Sequence, residues 1–511
     1  MKLLRVGAAV LNQTPLDWDG NLARIRGAIA AAKAGGVSLL CLPELCITGY
    51  GCEDAFHAPG TQSTAIDILC ELRGETRDMA VSFGLPLLVN GSLYNTACLV
   101  VNGQILGFVG KQNLAGEGIH YEPRWFKPWP QGQVTGVKIR DIAHDVGDLL
   151  FDVGGINVGF EICEDAWVGD RPGVSLARRG VDVIFNPSAS HFAFGKHEIR
   201  KRFVTEGSRA FSVGYVYANL LGNESGRAIY DGDAMIAAAG RLVVTGPRFS
   251  YADFYVTHAV IDIDAIRMSR ARNASFRPII QIPTRDYIGG DFTFPKLRPV
   301  KETATHPAWE SSPHIKEEEF TRAEALALFD YLRKSRSHGF VVSLSGGADS
   351  AAVSYLAAKL VDFAVAEIGR EAFLKKLSYI PGLAQATDNR AFVRRLLSCV
   401  YQPTRNSGEV TRNAAAAVAK ALGAEYLEFN VDELVQGYTS VVSQALGRKL
   451  DWKTDDLALQ NIQARARAPS VWMLANIKRA LLLATSNRSE AAVGYVTMDG
   501  DSSGGLSPIA G

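Results

Sequence analysis

Residues 339–360 read GFVVSLSGGADSAAVSYLAAKL: a short apolar run, a turn of small residues, then a helical stretch. An extended segment fed through a tight glycine turn into a helix is half of a crossover unit, whose next strand returns parallel to the first. The segments LLSCVYQ, EVTRNAAAAVAKALG and AEYLEFNV continue as strand, helix and strand. The rear of the chain is therefore predicted to wind a parallel α/β sheet.

The front of the chain has a different grammar. An apolar run at 3–11, the helical GNLARIRGAIAAAKAGG and the buried-strand run VSLLCLPE are followed by short strands joined by tight turns. In NTACLVVNGQILGFVGK the Asn102-Gly103 pair is a strong hairpin signal. Helices mixed with hairpins predict a layered α/β sandwich over 1–280. Residues 281–316 turn rich in proline, threonine and charge, which interrupts both periodicities and predicts a linker. The second domain is expected over 317–511, opening on the amphipathic EEEFTRAEALALFDYLRKS.

With 54 basic and 53 acidic residues, the chain has no positive excess for gathering a phosphate backbone, so nucleic acid is not an expected partner. Seven cysteines, odd in number and without CxxC spacing, fit neither a disulfide framework nor a zinc site. A reducing cytoplasm is expected. Arg5 interrupts the opening apolar run, and neither an export signal nor a membrane-spanning run is read.

The stretch GFEICEDAW, residues 159–167, sets Cys163 between Glu161 and Glu164, with Asp165 beyond. Carboxylates so close oppose a thiolate, so a reactive cysteine here needs a cation and a base from elsewhere. Glu44 follows LLCLP and Lys111 follows ILGFVG, each just beyond a predicted strand, as Cys163 is. Three strand ends can converge on one rim. Singly, the cysteine reads more readily as an inert buried hydrophobe, and the Glu and Lys as solvated strand caps, than as catalytic groups.

Together LPELCITGY, VGKQNL and EICEDAW resemble the signature segments of the carbon–nitrogen hydrolase (nitrilase-type) superfamily, a four-layer αββα sandwich that hydrolyses amides. The resemblance implies Glu44 as general base, Lys111 as support of the oxyanion and thiolate, and Cys163 as nucleophile forming a thioester. It gives Glu164 a backbone N–H in the oxyanion hole. Glu122 matches a further glutamate of the family, with an ion pair to Arg124 as the other reading. For a glutamine head group the resemblance implies Ser190 and Lys196 in NPSASHFAFGK, and Glu117 where a tyrosine is usual. A plain loop serine and a surface lysine remain the alternative.

SLSGGADS, residues 343–350, lacks the lysine of a Walker loop but resembles the pyrophosphate loop of ATP-pyrophosphatases, with an adenine-nucleotide-hydrolase-like fold of doubly wound parallel sheet. The resemblance implies ATP binding by Ser343, Leu344, Ser345, Gly346, Gly347, Ala348, Asp349 and Ser350, with Ser345, Gly346, Gly347 and Ser350 cradling its phosphates. LALQNIQARARAPSVWMLAN and LLLATSNRSEAAVGYVTMDGDSSGGLSPIAG resemble substrate segments of the NAD synthetase family. That implies Thr485 on ATP, and Asn461, Glu490, Tyr495, Val496, Thr497 and Met498 on deamido-NAD. Asp349 and Glu490 would hold Mg²⁺. Arg465 and Arg467 read as phosphate contacts or as solvated helix charges, ranked below Thr485 and Glu490.

An amidase joined to an adenylating synthetase implies ammonia drawn from glutamine and used to amidate deamido-NAD, in a homo-oligomer with an internal ammonia route. The family's synthetase domain continues beyond the point where this sequence stops, and 361–406 reads as longer than the usual connection. Two other readings stay open: an amidase with a non-catalytic nucleotide-binding regulatory module, and an amidating ligase with a different acceptor.

Overall fold

The computed structural model describes every residue except 225, 281–283, 301–306, 497–498 and 511. Two compact units divide the chain, Met1–Glu319 and Phe320–Gly511.

In the first unit an eight-stranded sheet runs in the order Phe254–Asp262, Leu3–Leu11, Leu39–Cys41, Ala80–Val89, Ser92–Val101, Gln104–Gly110, Ile142–Gly147, Val134–Ile139. A seven-stranded sheet is ordered Arg241–Thr245, Met235–Ala238, Gly214–Ala218, Val183–Pro187, Ile156–Phe160, Leu150–Val153, Tyr287–Gly290. The sheets face each other, Leu3–Leu11 and Leu39–Cys41 against Gly214–Ala218. Helices Trp18–Ala34 and Pro59–Leu72 cover the outside of one, Pro172–Arg178 and Lys196–Ala210 the outside of the other. Inner strands of such a sandwich are covered on both faces, which is why Leu39–Cys41, Val183–Pro187 and Gly214–Ala218 are buried throughout and, Asn186 apart, lack polar amide or charged side chains.

Local signals explain the elements. Asp17 caps Trp18–Ala34 by accepting from Gly20 N–H, and Lys33 stands in its last turn. The Asn102-Gly103 turn has φ of 49° and 81°, the two positive values that let Ser92–Val101 pair directly with Gln104–Gly110.

The stretch expected as a linker contributes to the sandwich. Tyr287–Gly290 pairs in parallel with Leu150–Val153 and closes one edge of the seven-stranded sheet. Its sequence, YIGG, is too short and glycine-rich to show alternation.

The second unit holds a fully parallel sheet in the order Glu425–Glu428, Leu397–Tyr401, Phe340–Ser343, Leu481–Leu483. Val341, Val400 and Leu482 form a core with Val471 and Ala475 of helix Ala468–Lys478. Strand order reverses at Phe340–Ser343, so a crevice opens beyond the carboxyl ends of that strand and Leu481–Leu483. The helix after the glycine turn, Ala348–Lys376, is broken at Gly369. Among the described residues no helix is long and apolar enough to cross a membrane.

Candidate active sites

Glu44 and Lys111 lie beyond strands Leu39–Cys41 and Gln104–Gly110 of one sheet, Cys163 beyond Ile156–Phe160 of the other. All three are buried. Lys111 Nζ donates to Glu44 Oε1 at 2.6 Å and to Glu122 Oε1 at 2.7 Å. The alternative pairing of Glu122 with Arg124 is not the one formed: Arg124 binds Asp54 at 2.7 Å. Asn95 Nδ2 also donates to Glu44 Oε1, at 2.7 Å, while Glu44 Oε2 is buried without a hydrogen-bond partner. The backbone comes in tightly here. A Cβ on Gly84 would lie 2.2 Å from Leu45 N, so any side chain at 84 displaces the segment carrying Glu44.

Cys163 opens the short 3₁₀ turn Cys163–Ala166 with φ of 47°, a left-handed conformation that costs a non-glycine residue about 1–3 kcal/mol. Its acidic neighbours have separate structural duties. Glu161 accepts from Arg171 Nη2 at 2.6 Å, Tyr215 Oη at 2.6 Å and Gly173 N at 2.8 Å. Asp165 accepts from Ile162 N and, across from the Lys111 strand, from Asn113 N at 2.8 Å, binding the cysteine turn to the lysine loop. Glu164 is the acid left half-buried, within the fields of Lys111, Lys196 and Glu117.

Burial pushes the Cys163 thiol well up; Glu44 and Glu122 push the same way, and Lys111 opposes them without prevailing. That direction favours the neutral thiol over the thiolate. Burial likewise raises Glu44, against the pull of Lys111, with Glu122 adding to the rise. Burial disfavours the Lys111 ammonium, but Glu122 and Glu44 hold its pKa well above the usual range. A raised carboxylate with one free oxygen beside a neutral thiol and a fixed cation can take and return protons around an acyl transfer.

Of the expected head-group residues, Glu117 is exposed in the loop after Lys111. Ser190 Oγ accepts from the buried Arg200 Nε at 3.2 Å, and Arg200 also donates to the Ser190 and His191 carbonyls. Lys196 begins helix Lys196–Ala210, its Nζ 5.4 Å from the centre of the Trp167 ring. Burial and the Arg200 charge lower its pKa to about 8. Sequence reasoning missed Tyr50, Asn95, His120 and His191, which touch these groups; Tyr50 and His191 lie inside the quoted segments LPELCITGY and NPSASHFAFGK but were given no role there.

In the second unit a cavity of about 300 Å³ opens at the crevice and is lined by Ser343, Leu344, Ser345, Arg467, Thr485 and Asp501 among others. The glycine turn folds on itself: Ser345 and Ser350 hydroxyls stand 3.1 Å apart, and Gly347 N donates to Ser345 Oγ at 3.2 Å. Gly346 has φ of 85°, and a Cβ there would sit 2.4 Å from Thr411 O. Ala348 and Asp349 begin the helix, and Asp349 accepts from Asn487 Nδ2 at 3.2 Å. Glu490 closes a capping box with Asn487. Burial raises Asp501, and Glu490 and Asp349 add to the rise, so three carboxylates share one neighbourhood. Among the described residues no three His, Cys, Asp or Glu side chains meet at metal-ligating geometry. One or two carboxylates completed by phosphate oxygens is the pattern that suits Mg²⁺, and Asp349 with Glu490 fits it.

The structure separates some expected partners. Asn461 and Arg465 line a different, apolar cavity of about 650 Å³ beside helix Asp432–Leu446, whereas Arg467 joins Thr485. Tyr495 and Val496 are exposed, and Thr497 and Met498 lie outside the described residues.

Comparison with known proteins adds what geometry cannot. Residues 5–271 match the carbon-nitrogen hydrolase family and residues 321–511 the NAD synthase family. The chain is 32% identical to the glutamine-dependent NAD(+) synthetase of Oryza sativa subsp. indica, aligning over 100% of this chain and 73% of that protein. It is 31% identical to the Rattus norvegicus protein of the same name, over 99% and 74%. A crystal structure of a glutamine-dependent NAD(+) synthetase from Cytophaga hutchinsonii superposes with a TM-score of 0.85 at 42% identity, over 100% of this chain and 79% of that one.

Proposed function

The chain belongs to the family of glutamine-dependent NAD(+) synthetases, and from that premise we propose which of its residues carry the two half-reactions. The protein amidates deamido-NAD to NAD with ATP, using ammonia from glutamine. The match of 321–511 to the NAD synthase family disfavours a non-catalytic regulatory module.

In the first unit the Cys163 sulfur attacks the glutamine side-chain carbonyl as its proton passes to Glu44 Oε2. Removing the proton during attack suits a thiol whose pKa lies high. Lys111 and the Glu164 N–H face the developing oxyanion. Glu44 returns the proton to the departing amine, then activates the water that cleaves the thioester. Lys196 and Ser190, with Glu117 at the mouth, hold the amino-acid head group.

In the second unit the 343–350 turn and Thr485 seat ATP, whose α-phosphate is attacked by the deamido-NAD carboxylate, releasing pyrophosphate. Ammonia then displaces AMP from the mixed anhydride. Asp349 and Glu490 would hold Mg²⁺, which supplies neutralisation of phosphate charge. Asn461 and 495–498 are assigned to the dinucleotide. A homo-oligomer in a reducing cytoplasm belongs to the same reading; seven free cysteines support the compartment.

The observation that carries the assignment is the buried Glu44–Lys111–Glu122 cluster facing Cys163 in a chain whose second unit places Thr485 and the glycine turn on one cavity. The test incubates glutamine, ATP and deamido-NAD with the protein and follows NAD, AMP and glutamate. NAD and AMP formed in equal amounts support it; glutamate without NAD overturns it.

A further inference from the structure

A line of hydrogen bonds leaves the buried cluster in the direction away from Glu44. Tyr50 Oη donates to Glu122 Oε1 at 2.7 Å and lies 3.1 Å from His120 Nδ1. His120 Nε2 lies 2.8 Å from His191 Nδ1, and Lys196 Nζ is 3.2 Å from that same nitrogen. The chain is therefore continuous from Lys111 through Glu122, Tyr50, His120 and His191 to the half-buried Lys196.

The chemistry of the first half-reaction leaves a proton to be moved. Thioester formation releases neutral ammonia, with the thiol proton carried to the amine. Hydrolysis then adds water, regenerates the thiol and yields a carboxylic acid that ionises to glutamate. If ammonia leaves as NH₃, the form that can attack an acyl adenylate, one proton per turnover stays behind. Glu44, its pKa raised by burial, is the group beside the product that takes it. Until Glu44 loses that proton it cannot serve as base again.

We propose that Tyr50, His120 and His191 form a proton relay that resets Glu44 after each turnover by passing this proton outward from Glu122, past Lys196, to solvent. The proposal rests on the assignment of Glu44, Lys111 and Cys163 above. Lys111 gives a proton to Glu122 and recovers one from Glu44. Protonated Glu122 donates to the Tyr50 oxygen, the Tyr50 hydroxyl donates to His120 Nδ1, and His120 Nε2–H donates to His191 Nδ1. His191 Nε2–H, 3.5 Å from Lys196 Nζ, releases the proton to solvent, so no net charge remains in the site. Burial holds both imidazoles neutral, at about 3 for His120 and about 4 for His191. Neutral rings can pass a proton on without storing one.

The test uses the full chain and the variants His120→Gln and His191→Gln, which keep polar side chains that cannot relay a proton. Rapid-quench measurement of glutamate release is expected to show a first turnover near the parental rate, then a steady state slowed by about tenfold or more. Added imidazole is expected to recover part of the steady-state rate. Ammonium-driven NAD formation checks that each variant is folded. A slow first turnover with no burst, or no effect of imidazole, makes the two histidines structural supports of Lys196 and overturns the relay. A parental protein that releases no glutamate from glutamine overturns the triad assignment instead.

Discussion

Asn95 Nδ2 holds one oxygen of the Glu44 carboxylate at 2.7 Å and leaves the other without a partner in a buried site. This hydrogen bond favours the charged carboxylate, so it opposes the effect of burial. A base whose pKa is raised loses activity as pH falls through that raised value. The acid limb of kcat/KM for glutamine is therefore expected above the ordinary carboxylate range, and Asn95→Ala should move it to higher pH. The ammonium-driven profile of the same variant is the comparison; a limb unmoved by Asn95→Ala would show that another group titrates.

Cys163→Ala is expected to abolish NAD formation from glutamine while sparing formation from ammonium, because only the first half-reaction uses sulfur. Parallel assays with the two nitrogen sources decide it. Equal loss in both, in a folded protein, would contradict the division of labour.

Asp349→Asn keeps size and the contact with Asn487 but removes a charge from a neighbourhood of three carboxylates. Synthesis from either nitrogen source should fall together by about a hundredfold, as for loss of one electrostatic contributor to a transition state. Glutamate release without ATP and deamido-NAD should persist, and its stimulation by those ligands should weaken.

Gly346→Ala is expected to be as damaging to synthesis as a charge change, for a steric reason. Its φ of 85° disfavours a side chain and the Cβ would meet Thr411 O at 2.4 Å, so the turn must shift. The measurement is the ATP KM in ammonium-driven assays, which should rise while glutamate release stays normal.

Arg171→Met should destabilise the first unit. It strips the charge partner from Glu161, a fully buried carboxylate, and removing one member of a buried pair costs about 3–5 kcal/mol. Denaturant unfolding followed by fluorescence should show the loss, and Arg171→Met with Glu161→Leu should recover part of it.

The sequence carried the residues that sit at strand ends, because strand-end position and chemistry coincide there: Glu44, Lys111 and Cys163 were legible only as a set, and the 343–350 turn by its own pattern. What it could not carry was the use each neighbour makes of them. Tyr50, His120 and His191 join one hydrogen-bonded line from segments up to 141 positions apart, and no local pattern marks such a meeting. The acids around Cys163 looked like a difficulty for the thiol. Glu161 and Asp165 prove to be fully engaged by Arg171, Tyr215 and Asn113, so their sense lies in the packing of two sheets and not in the motif. Thr485 was read on ATP and Asn461 on the dinucleotide, and they line separate cavities.

The short strand Tyr287–Gly290 bears on how the first unit is to be handled on its own. A fragment ending near residue 280 would leave Leu150–Val153 with one row of backbone N–H and C=O groups unshielded. Such a margin invites intermolecular strand pairing, so that fragment should self-associate where one carried through residue 290 stays dispersed.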